Sequence, residues 1–232
     1  LALLQLGPEA TFPEALMQAM ELCGHYCLPE SEEMARNPFS DSARIGYYPA
    51  EPATTARELR RFARHASGLR GIDTLRQLSR HVLDGSASPM ESLAAAMFHL
   101  PFRYGGFAIR EMLLNKEVIF SEGATRASDM RHAYCDIYVP RAKTTLEYNG
   151  SPHDTHAARI HDEKRVAGLA AMGIDVIPLN DAQLRNPDAL ESIARLLYRR
   201  SGKAYQCRVR THTTKRDALL NDLRRASGLS SV

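Results

Sequence analysis

The chain has 232 residues, of which 44% are hydrophobic and 25% are charged. This composition is ordinary for a globular protein, and the length allows one full domain with a smaller one beside it. The net charge of +3 is too small to require a nucleic-acid partner, so the distribution of charge along the chain is more informative than its total.

Charge differs strongly between segments. Residues 1–50 carry 2 basic and 7 acidic residues, residues 51–86 carry 7 and 4, and residues 201–232 carry 7 and 2. No apolar run approaches the roughly 20 residues that a membrane helix needs. The opening LALLQLGPEATF also lacks the basic segment of a signal peptide. We therefore expect a cytoplasmic protein without a membrane partner.

The four cysteines do not have the paired spacing of a zinc site, and they are too few for a disulfide scaffold in a chain of this length. Cys23 and Cys27 bracket a histidine, which allows metal binding in principle. Because this stretch is otherwise mixed and apolar, we interpret both cysteines as buried thiols.

The first part of the chain is predicted to be helical. Apolar residues at helical spacing predict helices over 12–27, 55–66, 72–83 and 89–100, and the proline-rich and acidic segment 28–54 favours an irregular connection. Arginines surround the apolar side of 55–66, which indicates a basic amphipathic helix. Ser88-Pro-Met-Glu91 is typical of a helix start. We expect residues 1–86 to form a mainly helical accessory region.

Extended segments become frequent after residue 100. Residues 101–133 are expected to form a loop, then a short helix or strand that includes the strand-like segment 118–120, then a second loop. Two strands are expected around a Pro-Arg-Ala-Lys turn between 134 and 150, and another over 174–179. Helices are predicted over 155–172 and 188–198, with a further strand at 204–210 and a basic helix over 216–226. The order of elements predicts an α/β domain over residues 87–232 with a basic C-terminal extension.

The hairpin YCDIYVPRAKTTLEYNG places Asp136 on its first strand and Glu147 on its second. A short turn can return the second carboxylate beside the first, and two such oxygens can hold one hard cation such as Mg²⁺ or Mn²⁺. The ion would lower the pKa of a bound water and offset charge on a phosphate. This pattern favours a nuclease; the alternative is a pair of exposed strand carboxylates without a special role.

Basic and imidazole side chains follow the hairpin. His153 and His156 can donate to a phosphate, act as a general acid or orient a water. Arg159, Asp162 and Arg165 recur at steps of three residues on the next helix, so their side chains share a face that can hold the scissile phosphate. The alternative interpretation is a solvated helix face with local ion pairs.

These residues form a specific pattern along the chain: Asp136, then Glu147-Tyr-Asn149-Gly150-x-x-His153, then Arg159-x-x-Asp162-x-x-Arg165 and a strand led by Gly173. The pattern resembles the PD-(D/E)XK nuclease superfamily. More closely, it is similar to the domain of unknown function related to very-short-patch repair endonucleases, over about residues 88–180.

The resemblance implies a restriction-endonuclease-like three-layer core, in which helices flank a mixed sheet. It also implies dependence on Mg²⁺, cleavage of DNA, and a further acidic residue on the preceding helix, which would be Glu91. The same glutamate is equally well explained as the third residue of a capping box with Ser88.

One position departs from the superfamily pattern, because Asn149 stands where a lysine is expected two residues after the second acid. Asparagine can hold a phosphate or a water but carries no charge. Lys143 on the turn, or Lys164 and Arg165 on the next helix, can supply the missing charge from another position.

The sequence thus favours a Mg²⁺-dependent deoxyribonuclease, two copies of which can pair to cut both strands. An alternative is a nuclease-fold protein with a decayed site that acts as a DNA-binding or regulatory module. In that case the basic helices at 55–66 and 215–226 would grip phosphates. A third interpretation is a metal-independent interaction protein that uses its acidic N-terminal part.

Overall fold

A computed structural model describes residues 10–28, 47–149 and 156–227, without the side chains of 156–158. The elements in chain order are α1 (Phe12–Leu22), β1 (Tyr26–Cys27), β2 (Tyr48–Pro49), α2 (Ala56–His65), α3 (Ile72–Leu78), α4 (Pro89–His99), β3 (Leu113–Ile119), α5 (Glu122–Ser128), β4 (His132–Val139), β5 (Thr144–Tyr148), α6 (His156–Ala171), β6 (Asp175–Leu179), α7 (Asp181–Leu184), α8 (Pro187–Arg200) and α9 (His212–Ala226). Short 3-10 helices lie at Phe102–Tyr104 and Pro140–Ala142.

The chain divides into two units: Leu1–Ala108 together with Val209–Val232, and Ile109–Arg208. The expected division after residue 86 differs from this one, because α4 contacts α1 and α9 and therefore belongs to the first unit. The helix start predicted for α4 from Ser88-Pro-Met-Glu91 is confirmed, since the Ser88 side chain accepts a hydrogen bond from the Glu91 amide. The helix itself is almost entirely buried, so local sequence predicted its start but not its neighbours.

In the first unit, local signals fix where α1 and α2 begin. Thr11 caps α1 and Thr55 caps α2, each in a capping box with the glutamate three residues later. The predicted first helix extended to residue 27, but α1 ends at Leu22, and Tyr26–Cys27 pairs instead with Tyr48–Pro49. Part of the predicted connection 28–54 lies outside the described residues.

The second unit contains a four-stranded mixed sheet in the order β3-β4-β5-β6. The first two pairings are antiparallel, whereas β5 and β6 are parallel and are joined through α6. This confirms the predicted α/β class and the hairpin. The hairpin turn is a 3-10 helix followed by Lys143 in the left-handed conformation, with φ 46°.

Helices contact both faces of this sheet. Side chains alternate along a strand, and Glu147 on one face of β5 is bonded by Arg165 of α6. Thr144 lies on the opposite face of β5, where its hydroxyl accepts a hydrogen bond from Arg200 of α8. On the α6 side, a buried cluster packs Phe120, Ala124, Ala133, Cys135, Leu169 and Ile174 together.

Both outer strands of the sheet carry an irregular residue. On β6 the Asp175 amide donates to the carbonyl of Lys143, the turn residue that precedes β5. Amides an odd number of residues from Asp175 therefore point away from the sheet. Pro178 occupies one of these outward positions and has no N–H to offer. On β3, Asn115 has φ 46°, and the pairing with β4 skips it.

Three further differences from the sequence predictions concern the second half of the chain. Strand β3 begins at Leu113, earlier than expected, and the short helix α5 was not predicted. Residues 204–210 form no strand. Within the described residues, no helix has both the length and the apolar content required to cross a membrane.

The contact between α6 and Phe120 yields the first testable prediction. A methyl group added at Gly168 would overlap the buried Phe120 ring, whereas the space around Gly123 in α5 is open. Alanine favours both helices, but overpacking costs about 1–3 kcal/mol. Gly168→Ala is therefore expected to lower the free energy of unfolding, and Gly123→Ala to leave it unchanged or raise it, as measured by urea denaturation. Equal effects of the two substitutions would contradict this packing.

Candidate functional site

Asp136 lies at a break in the regular geometry of β4. The backbone pairing of β4 with β5 reaches Ile137, opposite Leu146, and beyond it the Asp136 carboxylate accepts a hydrogen bond of 2.8 Å from the Tyr148 amide. The side chain of Asp136 therefore bridges to β5 beside Glu147. The pairing of β4 with β3 also skips Asp136, opposite Asn115.

The break also changes which side chains share a face. Cys135 and Tyr138 both pack against the cluster on the α6 side, although residues three apart in a regular strand point to opposite faces. The alternation therefore shifts at Asp136, and this shift directs the carboxylate toward the neighbouring strand. A hairpin pattern read from sequence assumes unbroken alternation and does not reveal this.

Glu147 is buried, with 3% of its side chain exposed. One carboxylate oxygen accepts a hydrogen bond from the Thr145 hydroxyl, two residues earlier on the same strand face. The other oxygen pairs with the Arg165 guanidinium of α6 at 2.5 Å. A buried carboxylate requires such partners, because an uncompensated charge in the interior is strongly unfavourable.

Arg165 connects three parts of the second unit. Besides Glu147, its guanidinium bonds the Asp162 carboxylate one turn earlier on α6 and the Tyr134 carbonyl on β4. Burial alone would lower the pKa of Arg165, but the Glu147 carboxylate, followed by Asp162, raises it above its ordinary value. Arg165 therefore carries its positive charge permanently at the second carboxylate of the hairpin.

A buried thiol lies close to both carboxylates. Burial raises the pKa of Cys135 to about 11, and the charges of Glu147 and Asp136 add to the rise. Thr145 and Cys135 were not among the residues selected from the sequence; the spacing of Thr145 from Glu147 was a usable signal, whereas nothing in the sequence indicated Cys135.

The other positively charged candidates differ in position. Lys164 bonds Asp129, at the end of α5, at 2.9 Å. Lys143 lies four residues from Glu147 along an extended strand, which separates their backbones by about 13 Å. Of the three residues proposed to replace the missing lysine, only Arg165 is bonded to one of the two carboxylates.

Asn149 and Glu91 have backbone roles in the structure. Asn149 is exposed, and its amide donates to the Leu179 carbonyl, which extends the contact of β5 with β6. Glu91 lies in the first unit, where its carboxylate accepts hydrogen bonds from the Ala87 amide and the Ser88 hydroxyl. Together with the bond from the Glu91 amide to the Ser88 hydroxyl, these bonds place Glu91 at the start of α4, although its amide partner is Ala87 and not the Ser88 amide of a capping box.

Two of the predicted site residues lie partly or wholly outside the residues that the structure describes. His153 lies outside the described residues, and His156 begins α6 but its side chain is not described. Arg159 is exposed on the same helix. In the described ranges, no group of three or more His, Cys, Asp and Glu side chains is arranged to hold a metal ion, and Asp136 and Glu147 are the two oxygen donors that the hairpin contributes.

Comparisons with known proteins give no relative for this chain. No family model matches it, and no match is found among the curated proteins or among the solved structures.

The ion pair between Glu147 and Arg165 makes a second prediction. Arg165→Met leaves the buried carboxylate without its cation, and the free energy of unfolding is expected to fall by about 3 kcal/mol. In a double-mutant cycle with Glu147→Gln, we expect a coupling energy of about 1–3 kcal/mol from urea denaturation. Lys164→Met is the matched control, with a much smaller loss because its ion pair is exposed. Additive single effects would show that the pair is not coupled.

Proposed function

We propose that the protein is a metal-dependent DNA endonuclease with a restriction-endonuclease-like core that includes strands β3–β6 and helix α6. The observation that supports this proposal is the meeting of Asp136, Glu147 and Arg165 where the β4–β5 pairing ends. A pair of carboxylates with a permanent cation beside them is the set of charges that phosphodiester hydrolysis uses.

Asp136 and Glu147 are the residues that would hold Mg²⁺ or Mn²⁺, because carboxylate oxygens are the ligands that these cations prefer. The fit is supported by Arg165, since Glu147 already binds one positive group. When bound, the ion would lower the pKa of a coordinated water and offset charge that develops on the phosphate.

Arg165 supplies the charge that Asn149 cannot. Its guanidinium has anchors in Asp162 and the Tyr134 carbonyl, so it can leave Glu147 and remain held at the site. We assign it to the scissile phosphate, to which a guanidinium can donate two parallel hydrogen bonds. Thr145 then keeps Glu147 oriented from the same strand.

Three further residues belong to the proposal on the sequence pattern: Asn149, His153 and Arg159. In it, His153 protonates or stabilises the leaving group, Asn149 holds a water or a phosphate oxygen, and Arg159 contacts the DNA backbone. The proposal also includes a cytoplasmic location and pairing of two copies for cleavage of both strands. Lys143 and Lys164 receive no role at the reacting phosphate.

A second candidate function is that of a DNA-binding or regulatory module with a decayed nuclease site. It is favoured by the protein donors on both oxygens of Glu147 and by the loss of the expected lysine. In this case the Glu147–Arg165 pair is permanent and serves only to connect β5 with α6.

Metal-dependent nicking of supercoiled plasmid distinguishes the two candidates. The wild-type protein is expected to nick DNA when Mg²⁺ or Mn²⁺ is titrated in. Asp136→Asn and Glu147→Gln are each expected to reduce the rate about a hundredfold or more, because each removes a charged ligand. Glu117→Gln, at an exposed carboxylate of β3 in the same sheet, is the matched control and should keep the wild-type rate. DNA binding without cleavage in the presence of either metal would support the second candidate.

Alanine substitution of each basic candidate tests which one supplies the charge. Arg165→Ala is expected to lose most of the nicking activity, whereas Lys143→Ala and Lys164→Ala should retain it. Arg165→Ala also leaves the buried Glu147 carboxylate without its cation, which can destabilise the fold. Arg165→Lys is therefore measured as well, and circular dichroism checks that each variant is folded. Folded Arg165→Ala protein with the wild-type rate would remove Arg165 from the proposal.

A further inference from the structure

Three arginines form a line along helix α2 in the first unit. Arg57, Arg61 and Arg64 follow one another at steps of four and three residues, and all three are exposed. At about 100° per residue they lie within about 60° of one another around the helix axis. We call these three residues the α2 arginine stripe.

No carboxylate in the described part of the chain forms an ion pair with a member of this stripe. The nearest acidic side chain in sequence, Glu58, accepts hydrogen bonds from Thr54 and Thr55 at the start of the helix, and its charge interacts with Arg61 without forming an ion pair. Other exposed arginines of the protein, such as Arg126, Arg195 and Arg225, are paired with a carboxylate on their own helix. The stripe therefore presents its positive charge to the surroundings.

The helix that carries the stripe is fixed at both ends. Its first amide, that of Ala56, donates to the Asp84 carboxylate. At its other end, the Arg76 side chain donates to the carbonyls of Ala63 and Ala66, which satisfies carbonyls that the end of a helix leaves without amide partners. The three guanidinium groups thus stand on a rigid support, and little order has to be created when they bind.

The opposite side of α2 is already used inside the protein. Ala56 and Ala63 are buried, Leu59 is half-buried beside them, and α2 contacts α3. Phe62 is the one large apolar side chain that α2 exposes, at 40%. A helix that inserts into a lipid surface requires a free apolar face, and α2 does not have one.

The partner that matches this surface is a polyanion with regularly spaced charges. From Arg57 to Arg64 the stripe covers seven steps along the helix, or about 10.5 Å along its axis. Phosphates on one strand of duplex DNA advance by about 3.4 Å each. We propose that the α2 arginine stripe binds the phosphate backbone of duplex DNA without regard to base sequence. This binding surface lies outside the unit that contains Asp136 and Glu147, and it does not depend on whether the protein cleaves DNA.

The second basic helix, α9, is a poorer match to the same partner. Arg216 is buried beside Asp217, Lys215 donates to the Arg103 carbonyl, and Arg225 pairs with Asp222. These three basic side chains of α9 thus have partners within the protein. Sequence composition alone gave the two helices equal standing.

The stripe is tested by DNA binding without cleavage. Fluorescence anisotropy with a random-sequence duplex, in EDTA, gives the affinity of the full chain over a series of salt concentrations. For Arg57→Ala/Arg61→Ala/Arg64→Ala we expect the affinity to fall by about tenfold or more. We expect the slope of log affinity against log salt concentration to decrease in magnitude by about 2.7, or about 0.9 per lost phosphate contact. The control Arg126→Ala/Arg195→Ala/Arg225→Ala removes the same charge and is expected to keep the wild-type slope.

Two results would overturn the proposal: equal slopes in both triple variants, or no binding of the wild-type chain to the duplex. Vesicles of phosphatidylserine and phosphatidylcholine serve as a second probe, and loss of vesicle binding alone in the stripe variant would assign the surface to lipid. Binding is measured in EDTA, and nicking is measured separately with Mg²⁺ or Mn²⁺ on the same protein. Failure of the nuclease proposal and failure of this one are therefore distinguishable.

Discussion

The contact between Glu147 and Arg165 is the interaction on which the candidate site depends. A carboxylate with 3% exposure cannot remain charged without a positive partner, and the partner comes from α6, the helix that connects β5 to β6 in the parallel part of the sheet. Because the same guanidinium bonds Asp162 and the Tyr134 carbonyl, one side chain connects β4, β5 and α6. The catalytic role that we propose for Arg165 therefore involves the same contacts that hold these elements together.

Local sequence signals account for much of the second unit. The Pro-Arg-Ala-Lys turn between two extended runs predicted β4 and β5, which pair as a hairpin. The helix between β5 and β6 accounts for the parallel pairing of these two strands. The steps of three residues on α6 also predicted that Asp162 and Arg165 share a face, and they are bonded. These predictions succeed because each depends on residues that are close in sequence.

Other features depend on contacts between segments that are distant in sequence, and local sequence patterns do not predict such contacts. The break at Asp136 coincides with Asn115 on the neighbouring strand, so neither residue predicts it alone. The start of α4 was predicted from its cap, but its assignment to the first unit required knowledge of α1 and α9. Likewise, α2 and α9 are both basic by composition. They differ in whether their basic side chains have partners within the protein, which only the structure shows.

The two irregular outer strands have a consequence for self-association. An open sheet normally offers its edge amides and carbonyls as a template on which a foreign strand can be laid. Pro178 removes a donor from one edge, and the left-handed backbone of Asn115 interrupts the other. Growth of the sheet from copy to copy, the route toward fibrous aggregates, is thereby obstructed on both sides. Pairing of copies through the edges of this four-stranded sheet is therefore disfavoured.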